Sequence, residues 1–351
     1  MSEGISLDEL GLAARNHATP LEALRWDVTP VGLHYLLTHF DIPDVDASTW
    51  RLDVTGLVER ERSLTLDDIR ARPAVEQVVT MECAGNGRAR ITPHVVNQPW
   101  LLEAVGTARW TGTPLAPLLE ECGIPEAATD VVFTGLDRGV QGGEEHDYAR
   151  SLALAEALRD DVILAYEING APLPPQHGFP VRLLVPGWYG MTSVKWLARI
   201  EVTDAPHGGY QMSRAYRMRQ HPDEVGEPLS RIAVRSLLVP PGIPEYLSRS
   251  RIVEAGEHVL RGRAWSGRAE VVGVDVSADG GSTWAEAELD PTTLGRWAWR
   301  SWTFEWDAPP GEHELCCRAR DAAGNEQPLE PEWNLGGYAN NAVQRVAVTV
   351  R

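Results

Sequence analysis

Residues 81–88 read Met-Glu-Cys-Ala-Gly-Asn-Gly-Arg and carry the strongest structural signal in the chain. The apolar, β-branched run before them predicts a strand over residues 75–82. That strand delivers the Cys83 thiol to a turn rich in Gly and Asn. Arg88 follows five residues later, where its guanidinium can lower the pKa of the thiol and bind an anion. A lone Cys after an apolar strand is usually a small core residue, but these neighbours favour a functional thiol.

Composition and charge exclude several classes of partner. The 351 residues carry a formal net charge of −18. Binding to nucleic acid or to an anionic membrane surface requires a basic face, so neither partner is expected. No apolar run is long enough to span a membrane. An anionic substrate would require positive charge concentrated at one place in the fold.

The cysteines indicate the cellular compartment. Cys83, Cys122, Cys316 and Cys317 show neither metal-site nor haem-attachment spacing. We therefore expect reduced thiols and a soluble, cytoplasmic protein. The acidic start, Met-Ser-Glu-Gly, has no leader pattern. A periplasmic location stays open if a leader has been removed.

Two domains are expected. Short strands and helices alternate in the first part, which predicts an α+β domain with mixed α/β structure over residues 1–225. A proline-rich stretch over residues 219–245 marks the boundary. Beyond it, runs of period-two alternation separated by turn signals predict an all-β, immunoglobulin-like sandwich over residues 226–351.

Three further clusters are candidates for binding. His177 and Arg182 lie five residues apart beside a predicted strand and could clamp a phosphate. Residues 186–196 form a Gly-containing loop with Ser193 and Lys195, which is weak evidence by itself because it lacks the P-loop spacing. Arg300 lies on a Trp-rich predicted strand and could reach across the domain boundary, where sites often form.

Taken in order, these segments resemble the sulfite oxidase family of molybdenum enzymes. Any one of them would be a weak signal, but the ordered set is specific. The matching segments are Val54–Val58 with Leu64–Ile69, Cys83–Asn86, Thr107–Gly112, Ala165–Gly170, Pro172–Pro174, His177–Arg182, Val194–Leu197, Asp275–Trp284, Trp297–Trp302, and Trp333–Leu335 with Asn341–Ala342.

The resemblance implies a molybdenum held by molybdopterin, a pyranopterin dithiolene, with Cys83 as the protein thiolate ligand. It implies that Arg88, Tyr216 and Arg300 line an oxyanion pocket. The first domain would then be the cofactor-binding catalytic domain and the second a dimerisation domain, giving a homodimer. The residues that match cofactor-binding positions are Leu36, Leu37, Thr38, His39, Phe40, Asp137, His177, Arg182, Ser193, Val194 and Lys195.

Two departures from the pattern weaken the oxyanion pocket. Leu37 stands where sulfite-oxidising members carry an arginine, and Gly87 replaces one of two arginines after the cysteine. Each missing charge-assisted contact could cost ~1.5–3 kcal/mol for a dianionic substrate. Trp188, Tyr189 and Met191 also differ and would make the pocket more apolar.

The expected activity is a two-electron oxygen-atom transfer at molybdenum, with sulfite oxidation to sulfate as the first candidate. Arg88 and Arg300 would bind the oxyanion, Tyr216 would hydrogen-bond it, and Cys83 would tune the metal. No haem is expected in this chain, so a separate acceptor such as a cytochrome would take the electrons.

Two alternatives remain open. One is a reductase of an S-oxide, an N-oxide or nitrate, which the loss of the arginine at Leu37 favours slightly. The other is a redox-inactive binding or scaffold protein that has kept the fold. The presence of Cys83, His177, Arg182 and Lys195 argues against the second.

Overall fold

The computed structural model describes residues 4–351, and the acidic start at residues 1–3 lies outside this range. Strand accounts for 38% of the structure and helix for 14%, so the fold is mostly β. Among the described residues, no helix is long and apolar enough to cross a membrane.

Five short α-helices lie between or beside the strands. The first two begin with capping boxes, because Ser6 and Thr65 accept hydrogen bonds from the backbone N–H groups of Glu9 and Asp68. The helices are α1 (Leu7–Arg15), α2 (Leu66–Arg70), α3 (Leu115–Cys122), α4 (Leu154–Ala157) and α5 (Tyr210–Ser213). Single 3₁₀ turns cover Leu21–Arg25, Val31–Leu33, Arg88–Arg90, Pro175–His177 and Gly190–Thr192.

The first part of the chain forms two larger sheets and a short ribbon. The strand orders are β2-β1-β10-β5-β6 and β3-β4-β7-β8, with β9 paired to β7, and β11 pairs with β12 in the ribbon. These strands are β1 (Leu52–Gly56), β2 (Arg62–Leu64), β3 (Val75–Glu82), β4 (Val105–Pro114), β5 (Asp130–Gln141), β6 (Glu144–Ala153), β7 (Ile163–Ile168), β8 (Ala171–Pro172), β9 (Arg182–Leu184), β10 (Leu197–Thr203), β11 (Arg217–Met218) and β12 (Glu227–Pro228).

The second part is all-β, as predicted. Two sheets, β13-β16-β20-β19 and β14-β15-β22-β21-β17-β18, pack around one apolar core that includes Leu260, Trp302 and Val348. These strands are β13 (Arg235–Leu238), β14 (Ile243–Pro244), β15 (Arg251–Val253), β16 (Gly256–Trp265), β17 (Val271–Ser277), β18 (Ala285–Glu286), β19 (Glu288–Leu289), β20 (Arg300–Ala308), β21 (Gly311–Asp321) and β22 (Gln344–Val350).

The prediction of mixed α/β structure in the first part needs correction. The main omission is the β5–β6 hairpin, which turns at Gly142 and Gly143 with φ of 61° and 83°. Its outer half carries charged residues that alternate poorly in sequence, because that half projects into solvent instead of covering a core. The hairpin matters for the site, since the buried inner half of β6 carries Tyr148 and Arg150.

The two parts share a buried apolar cluster and are in contact at the Cys83 turn. Tyr189 and Tyr216 of the first part belong to the same buried cluster as Leu237 and Trp299 of the second. A C-terminal arm, residues 334–341, also returns to this turn: the Ala339 N–H donates to the Ala84 carbonyl at 2.8 Å. The C-terminal arm therefore helps to hold the Cys83 turn in place.

Candidate active site

A cavity of about 700 Å³, counting its open mouth, lies beside the end of strand β3. Cationic, imidazole, phenol and thiol groups share its wall with apolar side chains. The lining residues are His34, Tyr35, Leu36, Leu37, His39, Met81, Cys83, Asp137, Tyr148, His177, Arg182, Gly190, Met191, Ser193, Lys195 and Tyr216.

Cys83 reaches this cavity because it immediately follows β3, as the sequence predicted. Its N–H donates to the Ala104 carbonyl at 2.9 Å, and its carbonyl accepts from the Asn86 N–H at 3.0 Å, which closes the turn. Burial raises the pKa of the Cys83 thiol, and the Arg88 charge offsets this only in part. The Arg88 charge therefore lowers this pKa as expected, but burial outweighs it in the free thiol.

Arg182 and Lys195 place two buried cations at one end of the cavity. The Arg182 guanidinium donates to the carbonyls of His177 (3.1 Å) and Ser193 (2.9 Å), and its Nε has no hydrogen-bond partner in the described structure. The Lys195 ammonium donates to the carbonyls of Leu37 (2.9 Å) and Gln176 (3.0 Å). Burial lowers the pKa of Arg182 to about 10 and that of Lys195 to about 7. An anion bound here would oppose both shifts.

Two neutral imidazoles and one carboxyl group complete this end. Burial lowers the pKa of His177 to about 2 and that of His34 to about 4. The two rings meet edge to face with their centroids 5.7 Å apart. Burial raises the pKa of Asp137 to about 7, against the opposing charge of Lys195. The Oδ1 of Asp137 has no hydrogen-bond partner within residues 4–351 and can bind an occupant.

At the other end, Tyr216 presents its phenol to the cavity from a strained backbone with φ of 54°. Its hydroxyl donates to the Tyr148 hydroxyl, which in turn donates to the Met191 carbonyl at 2.8 Å. Burial raises the pKa of Tyr216 well above its ordinary value. The phenol therefore stays protonated and can donate a hydrogen bond to an anion.

Most of the predicted site residues line one cavity. Those that do are Cys83, Tyr216, Leu36, Leu37, His39, Asp137, His177, Arg182, Ser193 and Lys195. Thr38 instead fixes the N-terminal arm, since its N–H donates to Asn16 Oδ1 at 2.6 Å. Phe40 packs edge to face against His39, and Val194 belongs to the main core.

Arg88 and Arg300 do not lie where the sequence comparison suggested. The buried Arg88 donates to the carbonyls of Gly336 (2.9 Å) and Gln98 (3.1 Å), which hold it behind the cavity wall. Arg300 lies in a separate cleft beside Trp297, where it pairs with Glu270 at 3.2 Å. Neither guanidinium lines this cavity, because both are bound by other protein groups.

Sequence reasoning missed several cavity residues. His34 and Tyr35 belong to no motif, and Met81 was interpreted only as part of the strand before Cys83. Tyr148 lies in the strand that was not predicted. Predicting the β5–β6 hairpin from its Gly-Gly turn would have placed Tyr148 and Arg150 on one buried face.

The donor set fits a cofactor that carries negative charge. Arg182 and Lys195 line the cavity, whereas Arg88 and Arg150 lie behind its wall. None of these four forms an ion pair with a carboxylate in the part of the chain that is described. Uncompensated buried cations are costly unless an anion joins them. A soft thiol at the same cavity suits a metal with sulfur ligands. These residues therefore suit a phosphorylated, sulfur-bound metal cofactor.

Comparison with known proteins agrees with this chemistry. An oxidoreductase molybdopterin binding domain matches residues 39–211, and a Mo-co oxidoreductase dimerisation domain matches residues 227–351. The chain is 38% identical over 345 residues to the sulfite oxidase of Gallus gallus, which covers 91% of this chain and 72% of that protein. The chain belongs to the sulfite oxidase family of molybdopterin oxidoreductases. Its cofactor is molybdenum bound to molybdopterin, as predicted, and the prediction of an enzyme is confirmed.

Members of this family with different reactions resemble the chain closely. The chain is 36% identical over 354 residues to nitrate reductase [NADH] 1 of Oryza sativa subsp. japonica, covering 92% of this chain and 38% of that protein. The crystal structure of the sulfane dehydrogenase SoxCD from Paracoccus pantotrophus superposes with a TM-score of 0.82 at 26% identity, covering 95% of this chain and 86% of that chain. The chain spans about three fifths, 62%, of the mitochondrial sulfite oxidases that it matches.

Proposed function

We propose that this chain oxidises sulfite to sulfate and passes the electrons to a separate protein such as a cytochrome. The observation that carries the proposal is a set of buried cations that form no ion pair with a carboxylate, at a cavity that also holds a thiol. Arg182 and Lys195 would neutralise the cofactor phosphate, and the other end of the cavity would hold a small oxyanion. The reaction takes one oxygen atom from water and releases two protons and two electrons.

Each predicted cofactor contact has a physical basis in the structure. Cys83 would bind the metal through Sγ, and metal binding would displace the proton that burial retains on the thiol. The neutral rings of His34 and His177 can exchange hydrogen bonds with a heterocycle. Ser193 holds the strand at the site, since its hydroxyl accepts from the Val185 N–H at 3.1 Å. The bound cofactor supplies two-electron redox chemistry at the metal.

Tyr216 is the residue we propose to bind the substrate. Its raised pKa keeps the phenol protonated, so an oxyanion can replace Tyr148 as the acceptor of its hydrogen bond. The resulting contact is charge-assisted, and such contacts are stronger than those between neutral groups. Met81 and Met191 add polarisable surface to the same cavity.

The second candidate is reduction of nitrate, an S-oxide or an N-oxide on the same cofactor. The apolar Leu37 side chain lines the cavity, and Arg88 is turned away from it. Both features weaken the binding of a dianion more than that of a monoanion or a neutral oxide. Similarity to a nitrate reductase is consistent with this candidate.

We also propose that the division falls at residues 225 and 226, with a cofactor domain before it and a dimerisation domain after it. A homodimer is then expected, consistent with the match of residues 227–351 to a dimerisation domain. The immunoglobulin-like topology of the sandwich and a cytoplasmic location stay predictions. All four cysteines are free and buried, which is consistent with a reducing compartment.

A dye-coupled assay of molybdenum-loaded protein separates the two candidates. Sulfite should reduce an oxidised dye, whereas a reduced dye should not be consumed with nitrate, dimethyl sulfoxide or trimethylamine N-oxide. Cys83→Ser should abolish turnover, and Cys122→Ser, at a buried cysteine in the core, should not. Turnover with an oxide or nitrate and none with sulfite would overturn the proposal in favour of the reductase.

A further inference from the structure

Tyr216 and Tyr338 lie next to each other, with their rings tilted by 35°, between two guanidinium groups. Arg150 lies over the Tyr216 ring at 5.4 Å, and the Tyr216 and Tyr338 ring centroids are 5.4 Å apart. Arg88 lies over the far ring, Tyr338, at 5.1 Å. Of these four side chains, only Tyr216 reaches the cavity. Two positive charges therefore stand directly behind the residue proposed to bind the substrate.

Arg150 is a buried arginine that, like Arg88 and Arg182, has no carboxylate partner among the described residues. Its side chain is one of the largest that are fully buried, at 2% exposure, and it forms no ion pair within residues 4–351. NH1 donates to the Gln211 carbonyl, and Nε is unpartnered. By contrast, the buried guanidiniums of Arg235, Arg251 and Arg263 pair with Glu82, Glu22 and Asp27 at 2.7, 2.6 and 2.9 Å.

An unpaired buried charge is costly, so packing alone gives no reason for Arg150. Replacing such a group by a neutral residue of similar volume often stabilises a protein. Burial lowers the pKa of Arg150, but a guanidinium remains charged at neutral pH. The positive field of Arg150 therefore persists at Tyr216 without a neighbouring carboxylate to cancel it.

Arg150 also fixes the position of Tyr216. Its hydrogen bond to Gln211 holds helix α5, which leads directly into the strained Tyr216 backbone. Tyr148 stands two residues earlier on the same face of β6 and accepts the Tyr216 hydroxyl. One strand thus holds both the ring and the hydroxyl of Tyr216.

We propose that Arg150 is a positioning residue that gives the cavity its affinity for small oxyanions. It acts through Tyr216. Its charge compensates for the two arginines that the resemblance implies at positions 37 and 87, where this chain has Leu37 and Gly87. This inference rests on the proposed function for the identity of the substrate, but it assigns anion affinity to a group outside the cavity wall. A neutral S-oxide would not require this charge.

The test compares Arg150→Gln, which removes the charge, with Arg150→Lys, which retains it. Both replacements keep a donor for the Gln211 carbonyl. Arg263→Gln is the matched control, because Arg263 is a buried guanidinium stacked on Trp299 at 5.6 Å and does not line the cavity. The measurements are KM and kcat for sulfite and, by calorimetry, the binding of sulfate to metal-loaded protein.

Arg150→Gln should raise the KM for sulfite and the Kd for sulfate by ~10-fold or more, as removal of a unit charge close to the site predicts. kcat should change by less than ~3-fold, since the charge binds the ground state and the transition state alike. Arg150→Lys and Arg263→Gln should keep sulfate affinity within ~3-fold of wild type.

Unchanged sulfate affinity in folded Arg150→Gln would overturn the inference. If that variant does not fold, Arg150→Lys decides: a loss of ~10-fold or more in sulfate affinity despite the retained charge would contradict the charge account. The proposed function fails separately, if wild-type protein binds sulfate but does not oxidise sulfite.

Discussion

The Glu82 carboxylate, one residue before Cys83, accepts a 2.7 Å hydrogen bond from the Arg235 guanidinium across the boundary between the two parts of the chain. Both side chains are almost completely buried. Trp265 Nε1 and Asn86 Nδ2 also donate to this carboxylate, at 2.8 and 2.9 Å. Strand β3 is therefore fixed to the second part just behind the proposed metal ligand.

Breaking this buried pair should cost much stability, whereas removing both partners should cost little. We expect Arg235→Met to lower the free energy of unfolding by about 3 kcal/mol, because it leaves the Glu82 charge buried without its cation. Adding Glu82→Gln should recover most of the loss. Denaturant unfolding of both single variants and the double variant measures the coupling.

The control for this cycle is Arg109→Met, at the half-exposed Arg109–Glu76 pair with a separation of 2.6 Å. An exposed pair should contribute less than about 1 kcal/mol. A loss in Arg235→Met no larger than that in Arg109→Met would contradict the role assigned to the buried pair.

Gly87 is required by the shape of the turn. Its φ is 87°, and a Cβ there would meet the Asn340 side chain at 2.8 Å. Asn340 Nδ2 also donates to the Gly87 carbonyl at 2.8 Å. Gly87→Ala should therefore destabilise the protein by about 2 kcal/mol or more, through both backbone strain and the contact.

Gly143→Ala is the matched control for the backbone, because φ is 83° there and nothing lies within 4 Å of the added Cβ. Thermal unfolding should show a clearly smaller loss for Gly143→Ala than for Gly87→Ala. Equal losses would mean that the Asn340 contact contributes nothing.

Asp137 should make the cofactor-free protein less stable as pH rises. Its folded pKa of about 7 exceeds the ordinary value of 3.8, so the folded state binds more protons between these two values. Stability is then lost as pH rises through this window, and the loss is complete above about 7. Asp137→Asn should be more stable than wild type at mildly alkaline pH, by on the order of 2 kcal/mol, and similar to it in acid.

Unfolding of cofactor-free protein across this pH range checks the prediction. A stability difference between Asp137→Asn and wild type that did not grow with pH would show that the carboxyl group is not held in the protonated form by burial.

Leu37 should limit the turnover of an oxyanion. Its side chain lines the cavity, whereas its carbonyl already binds Lys195. Leu37→Arg adds a guanidinium and leaves that backbone contact available, so kcat/KM for sulfite should rise ~10-fold, as one charge-assisted contact predicts. Steady-state kinetics with a dye acceptor measures this. An unchanged kcat/KM would refute the pocket argument.

Local sequence predicted the backbone well where a segment showed a clear pattern of apolar residues. Strand β3 has the predicted bounds, and Cys83 follows it at the cavity. The β5–β6 hairpin was missed because its charged outer half gives no apolar alternation. Its Gly-Gly turn was the signal that could have revealed it.

Side-chain placement was harder to predict, because distant parts of the chain decide it. Arg88 turns away from the cavity because the carbonyl of Gly336, 248 residues further along, accepts its hydrogen bond. Arg150 lies in the β5–β6 hairpin and is held by a hydrogen bond to Gln211 in helix α5, which is far away in sequence. Sequence spacing alone carries no information about either contact.

The most direct test of the account is molybdenum K-edge X-ray absorption on metal-loaded wild type, Cys83→Ser and Cys122→Ser. The central claim is that Cys83 ligates the metal in this cavity. It predicts one fewer sulfur neighbour at molybdenum in Cys83→Ser and an unchanged sphere in Cys122→Ser. The same sulfur coordination in all three proteins would contradict it.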